Sequence, residues 1–184
     1  MSNGKAKGSG FERDVCRILT KWITGVEKPV IFWRSPASGG LGTIKTAENV
    51  SGDIIAIRPE AEWFTQVFSV ECKTGYPNAC LFKHLRNVKN DEIEQFWTQC
   101  ITGAHEDNKS GMLIYKKKGA QPIVGIEKYI YDQLVELTRE MPVKHITLSY
   151  GNDLPDVILM DLQEFLTKVK PDHIKKLCIT SNPL

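Results

Sequence analysis

Two acidic residues and a lysine lie on two short apolar runs in the first half of the chain. Asp53 precedes the run 54–57, and Glu71 and Lys73 end the run that begins at Val67. Alternate side chains of a strand point to opposite faces, so Glu71 and Lys73 share one face. Mg²⁺ prefers oxygen ligands and one or two protein carboxylates, which leaves positions for water and a substrate phosphate. The pattern therefore predicts a metal site for hydrolysis of a phosphodiester, with the ammonium stabilising the developing charge.

The segment 53–57 has the composition of a strand, and Arg58-Pro59-Glu60 reads as a break before the next strand. Pairing of the two strands as a hairpin would bring Asp53 close to Glu71. Acidic residues and Glu/Lys pairs are also common on solvated sheet faces, so spacing alone leaves a surface interpretation open.

A helix is predicted from near Ser9, because apolar residues recur at helical spacing over the segment 11–22. Glu12 borders this apolar stripe, so its carboxylate could lean towards the sheet. Ser9 and Glu12 also form a capping-box pattern, in which the glutamate stabilises the start of the helix. The sequence leaves these two roles of Glu12 open.

Four elements occur in a fixed order: Gly-Ser-x-Phe-Glu-Arg at 8–13, Arg-Ser-Pro-Ala-Ser-Gly-Gly at 34–40, Gly-Asp-Ile at 52–54 and Glu-Cys-Lys at 71–73. Together they resemble the PD-(D/E)XK nuclease superfamily, most closely archaeal-type Holliday junction resolvases and their phage-encoded relatives. Gly52 stands where the superfamily name and many resolvases have a proline, which is not itself a ligand. The resemblance extends from about residue 8 to about residue 125.

The resemblance implies an α/β restriction-endonuclease-like fold, with a central mixed β-sheet flanked by helices. The strand and helix patterns after residue 125 predict a C-terminal α/β extension. It implies that Glu12, Asp53 and Glu71 are the acidic metal-site residues and that Cys72 contributes its backbone carbonyl as a further ligand. Lys73 would be the catalytic lysine. The implied cofactor is Mg²⁺, with Mn²⁺ as a substitute ion.

The resemblance also indicates DNA contacts. Ser38 matches a loop serine near the scissile phosphate, and the flanking Gly39 and Gly40 permit close approach of a phosphate backbone, although glycines also form ordinary flexible loops. Arg34 and Arg13 are further candidates for phosphate contact. An arginine that ends an apolar run, as Arg34 does, also suits a solvent-facing position.

A second helix is predicted from about residue 90, with apolar residues at helical spacing that include Trp97 as a core anchor. Some superfamily members carry an accessory glutamine on the corresponding helix, which makes Gln95 or Gln99 a candidate near the metal site. A surface glutamine is the commoner case. Further strands are predicted at 112–115, 123–126, 146–148 and 157–160, with helices at 129–139 and after Asp161.

Length and composition predict one nuclease domain over residues 11–184, with a core to about 125, an extension over 126–184, and a mobile basic tail over 1–10. The net charge of +2 is too small to indicate nucleic acid by itself, and a solvated surface is the simpler explanation for any single cluster of basic residues. Five cysteines without a Cys-x-x-Cys pair predict reduced thiols. Since no run approaches the roughly twenty apolar residues of a membrane span, we expect a soluble, cytoplasmic protein.

The resemblance favours a homodimer that cuts four-way DNA junctions, because a two-fold dimer presents equivalent sites to two symmetry-related strands. A related nuclease that acts on duplex ends, flaps or single strands would use the same metal site. A DNA-binding module of this fold without catalytic activity is the third hypothesis, and retention of three acids and Lys73 disfavours it.

Overall fold

The computed structural model describes residues 3–35, 51–86, 91–139, 143–151 and 154–181, and within these ranges it contains seven helices and seven strands. The elements in chain order are α1 Asn3–Thr24, β1 Phe32–Arg34, β2 Ile54–Ala56, α2 Pro59–Val67, β3 Phe68–Thr74, α3 Leu81–Leu85, α4 Glu92–Glu106, β4 Ser110–Lys116, β5 Ile123–Glu127, α5 Lys128–Thr138, β6 His145–Leu148, β7 Val157–Asp161, α6 Leu162–Lys168 and α7 Pro171–Ser181. No described helix is long and apolar enough to cross a membrane.

The central sheet has five strands in the order β3-β4-β5-β7-β6. β3 and β4 are parallel, and every other neighbouring pair is antiparallel, so the predicted mixed sheet is confirmed. β7 lies between β5 and β6, which makes the C-terminal third an integral part of this sheet. A separate antiparallel ribbon of β1 and β2 flanks the edge strand β3.

The two faces of the sheet bury two different cores. One face carries alternate side chains such as Val70, Met112 and Ile114, which pack with residues from α1, α2, α5, α6 and α7. The opposite face carries Leu113 and its neighbours, which pack with α4. Trp97 on α4 is fully buried there, as predicted for a core anchor. Glu71 and Lys73 alternate with Val70 along β3 and therefore lie on the α4 face.

β2 and β3 do not form the hairpin that the sequence analysis considered as a way to bring Asp53 close to Glu71. The helix α2 connects the two strands, and β2 pairs with β1 instead. Pro59 occupies the first turn of α2, where its missing N–H costs nothing. Buried Ala61, Phe64 and Val67 then recur every third residue along one helical face. Proline here starts a helix and does not merely end a strand.

The first helix begins at Asn3, six residues before the predicted start near Ser9, so residues 3–10 of the predicted tail lie in α1. The predicted apolar stripe is confirmed, because Phe11, Val15 and Leu19 are buried. Ser9 is inside the helix and has no free N-terminal amide to cap. The capping-box role of Glu12 is therefore wrong.

Candidate active site

Asp53 is fixed to the outer edge of β3 by its backbone and by its side chain. Its N–H donates to the carbonyl of Val70 at 2.7 Å, and its Oδ2 accepts from the N–H of Cys72 at 2.8 Å. An edge strand presents backbone groups that would otherwise lack partners, and Asp53 satisfies two of them. The N–H and C=O of one strand residue point to the same side, so the carbonyl of Cys72 also faces the edge that Asp53 occupies.

Gly52 permits this close approach. Its φ is +89°, a conformation that residues with a side chain rarely adopt. A Cβ at this position would lie 2.8 Å from the carbonyl oxygen of Val70 and 2.8 Å from Oγ of Ser69. The position before Asp53 therefore requires glycine in this chain, which explains the departure from the proline of the superfamily name.

Glu71 and Lys73 form one polar network with Gln99 of α4. The Lys73 ammonium lies 2.6 Å from Oε1 of Glu71 and donates to Oε1 of Gln99 at 2.8 Å. The Gln99 amide nitrogen donates to Oε1 of Glu71 at 2.9 Å. The predicted shared face of Glu71 and Lys73 is thus confirmed. Both candidate glutamines are exposed on α4, and of the two, Gln99 makes these contacts.

Glu12 is buried and ion-paired with Arg34, whose Nε lies 2.7 Å from Oε2 of Glu12. Arg34 ends β1, so the ion pair ties α1 to the ribbon. Arg13 points into solvent, and its Nη2 donates to Oγ of Ser9 at 3.2 Å. The predicted DNA contacts Ser38, Gly39 and Gly40 lie outside the described residues.

The carboxylates are close enough to perturb one another. The pKa of Asp53 rises from its ordinary 3.8 to about 7, first because burial disfavours the charged form and next because the Glu71 carboxylate repels it. Glu12 adds a smaller repulsion. The hydrogen bond from Cys72 and the charge of Lys73 oppose the rise in pKa without cancelling it.

These residues line one open cleft of about 560 Å³ between α1, the end of β3 and α4. Within the described ranges, no group of three or more His, Cys, Asp or Glu side chains is arranged to hold a metal ion. The oxygen donors that face the cleft nevertheless fit Mg²⁺ by their chemistry, since that ion takes only one or two protein carboxylates. Asp53 and Glu71 supply two, and a cation between them would relieve the repulsion that raises the pKa of Asp53.

Several residues that line the cleft are not among those predicted from the sequence, and two of them, Tyr76 and Glu106, carry side chains that can interact with a substrate. Tyr76 follows β3 by two residues, and Glu106 ends α4. The sequence signal for Tyr76 was its position shortly after the Glu-Cys-Lys motif at 71–73. Glu106 had no such signal, because only the packing of α4 against β3 brings it to the cleft.

A mixed sheet flanked by helices, with acidic residues and a lysine at one strand edge, defines the restriction-endonuclease-like class of nuclease fold. The model of a family described as phage putative PDDEXK endonuclease matches residues 3–176, and the chain belongs to this family. The match continues well beyond residue 125, so the limit inferred from the motifs was too early. No curated protein and no solved structure matches the chain.

Proposed function

We propose that the protein is a metal-dependent DNA endonuclease, and specifically a structure-selective Holliday junction resolvase. The observation that carries the proposal is the convergence of Asp53, Glu71 and Lys73 in one cleft. Membership of an endonuclease family supports the reaction class. The order of the sequence motifs supports four-way junctions as the substrate and a homodimer as the active form.

In this proposal Asp53 and Glu71 hold Mg²⁺, together with the carbonyl of Cys72 and with Glu12. Mn²⁺ has the same preference for oxygen ligands and can replace it. The bound ion supplies Lewis-acid stabilisation of charge on the phosphate.

The remaining chemistry belongs to side chains. The Lys73 ammonium is held by Glu71 and Gln99, so its position is fixed before substrate arrives. From there it orients the attacking water and stabilises the negative charge that grows on the phosphate oxygens. Arg34 positions Glu12 through their ion pair. Arg13, Ser38, Gly39 and Gly40 contact the DNA backbone.

The proposal is tested by cleavage of a labelled four-way junction beside matched duplex, flap and single-stranded DNA, with Mg²⁺ or with EDTA. Asp53→Asn removes the charge but keeps an oxygen that can accept from Cys72, so the fold should survive. Asp132→Asn, on the exposed surface of α5, is the matched control for loss of one carboxylate. We expect paired symmetric nicks at the junction for the wild type and the control, and none for Asp53→Asn or with EDTA.

Other outcomes separate the alternatives. Metal-dependent cutting of flaps, ends or single strands would keep the site and reject the resolvase assignment. Binding of DNA without cleavage under all metals and substrates would identify a binding module. Equal cleavage by Asp53→Asn and the wild type would reject the proposed site.

A further inference from the structure

Tyr76 places an aromatic ring at one end of the cleft. It follows β3 after Gly75, and 42% of its surface is exposed. Among the described residues that line the cleft, Tyr76 is the single aromatic one, and the others are glycines, a cysteine and polar or charged residues. A half-exposed ring in an otherwise polar cleft offers a flat apolar surface beside the carboxylates.

The ring is held in place by its support. Its centroid lies 4.6 Å from that of Phe96 on α4, and Phe96 in turn packs on Tyr115 of β4 with a centroid distance of 5.7 Å. The hydroxyl of Tyr115 donates to the backbone carbonyl of Tyr76 at 3.3 Å, and the N–H of Ala79 donates to the same carbonyl at 3.4 Å. Backbone and ring are both anchored, so presenting the exposed surface costs little ordering entropy when a ligand arrives.

The same support connects Tyr76 to the catalytic lysine. The Lys73 ammonium lies 5.9 Å from the centroid of the Phe96 ring against which Tyr76 packs. A strand whose phosphate meets Lys73 therefore has its adjoining nucleotide within reach of Tyr76.

A cation lies close to Tyr76. The Lys117 ammonium donates to the carbonyl of Ala79 at 3.3 Å, and the N–H of Ala79 donates to the carbonyl of Tyr76. A phosphate of a strand that reaches Tyr76 is attracted by this charge.

We propose that Tyr76 stacks against the base of a nucleotide next to the scissile phosphate. This inference rests on the proposed nuclease function and narrows its substrate class. A base inside a continuous duplex has both faces covered by its neighbours, so it has no free face for Tyr76. The substrate is then DNA in which that nucleotide is unpaired or readily unstacked, as at a branch point, a flap or a single strand.

The test measures binding in an Asp53→Asn background, which prevents cleavage, with fluorescein-labelled four-way junction and flap DNA. The cleavage position is first mapped with the wild type. In a matched set of substrates, each DNA then carries one abasic tetrahydrofuran analogue at a different nucleotide around that position. We expect Kd to rise roughly 5- to 150-fold at one abasic position when Tyr76 is present. Tyr76→Ala should weaken binding of intact DNA by the same factor and show no further loss with the abasic substrate.

Two variants control for non-specific effects. Tyr76→Phe keeps the ring and should behave like the parent. Tyr129→Ala removes a tyrosine of similar exposure on α5. It should also leave unchanged the abasic ratio, which is the Kd for abasic DNA divided by the Kd for intact DNA. An abasic ratio that is equal in the parent and in Tyr76→Ala would overturn the stacking inference while leaving the nuclease function intact. Absence of cleavage by the wild type, together with failure of both proteins to bind any DNA, would overturn the inference and the proposed function alike.

Discussion

Two carboxylates of this protein are removed from water in different ways. Glu127, at the end of β5, is 1% exposed, and each of its oxygens meets a partner: the N–H of Gly111 donates to Oε1 at 2.8 Å, and Nε2 of His105 lies 3.1 Å from Oε2. Asp53 accepts from Cys72, but burial and then repulsion from the Glu71 and Glu12 carboxylates raise its pKa.

The comparison separates a carboxylate that the fold supplies with its own donors from one that is crowded by other acids. A buried acid that the fold supplies with its own donors ties elements together, as Glu127 ties β5 to β4 and α4. Acids that crowd one another cost stability, and such an arrangement is typical of sites that work on something external to the chain. We infer that the external species here is a divalent cation with its DNA substrate.

Asp53 and Glu127 should differ most in how their substitution affects DNA cleavage. Asp53→Asn should lower cleavage by on the order of 10³-fold or more, because it removes a charge that acts directly on the reaction. Its free energy of unfolding in EDTA at pH 8 should equal or exceed that of the wild type, since repulsion from Glu71 is gone. Cleavage assays and urea denaturation of the same preparation check both parts. A variant that is inactive because it is unfolded would break the contrast.

The position of Asp53 beside β3 can be changed without removing a charged group. Gly52→Ala adds a Cβ 2.8 Å from the carbonyl oxygen of Val70 in β3, at a positive φ, so it should cost about 2–4 kcal/mol of stability and lower activity as Asp53 moves. Gly119→Ala is the matched control, because Gly119 also has a positive φ of +77° but nothing within 4 Å of the added atom. Equal losses in the two variants would show that strain alone, without the close approach to β3, governs Gly52.

At Glu127, by contrast, we expect a substitution to lower stability and to leave activity nearly unchanged. Glu127→Ala leaves the N–H of Gly111 buried without its acceptor, which should lower the free energy of unfolding by about 1–3 kcal/mol. Activity per folded molecule should stay close to that of the wild type. Thermal or urea denaturation gives the first value, and cleavage rates below the unfolding transition give the second. A large loss of activity in the folded variant would remove the distinction between the two sites.

The smallest effect is a dependence of stability on pH. Because the pKa of Asp53 is raised, the folded protein holds a proton between about pH 4 and 7 that the unfolded chain releases. The free energy of unfolding in EDTA should therefore fall as pH rises through this window. The loss should be on the order of 1–2 kcal/mol, discounted for partial solvent exposure of the group. Asp53→Asn should lack this component, and parallel pH profiles of the two proteins would contradict the assigned cause.

Much of the site could be predicted because its signals are local. Strand alternation alone places Glu71 beside Lys73, and helical spacing alone identifies the buried stripe of α1. The approach of Asp53 to Glu71 was predicted through a hairpin that does not exist, since Pro59 starts α2. Sequence spacing treats Pro59 as a break, whereas the burial of Ala61, Phe64 and Val67 along one face shows the helix.

Other parts depend on packing between distant elements and were not accessible from spacing. Gln95 and Gln99 are one helical turn apart, so periodicity cannot choose between them, and the seating of α4 on β3 selects Gln99. The partners of Glu127 come from β4 and α4, which no local pattern relates. The metal, the dimer, the junction substrate and the roles of Ser38, Gly39 and Gly40 stay predictions.

The most direct test of the central claim is a calorimetric titration with Mg²⁺ of the wild type, Asp53→Asn and Glu127→Gln. If the crowded carboxylates form the cation site, the wild type and Glu127→Gln bind Mg²⁺ with similar affinity, and Asp53→Asn loses that binding. Identical isotherms for the wild type and Asp53→Asn would contradict the claim that this cleft is a metal-dependent nuclease site.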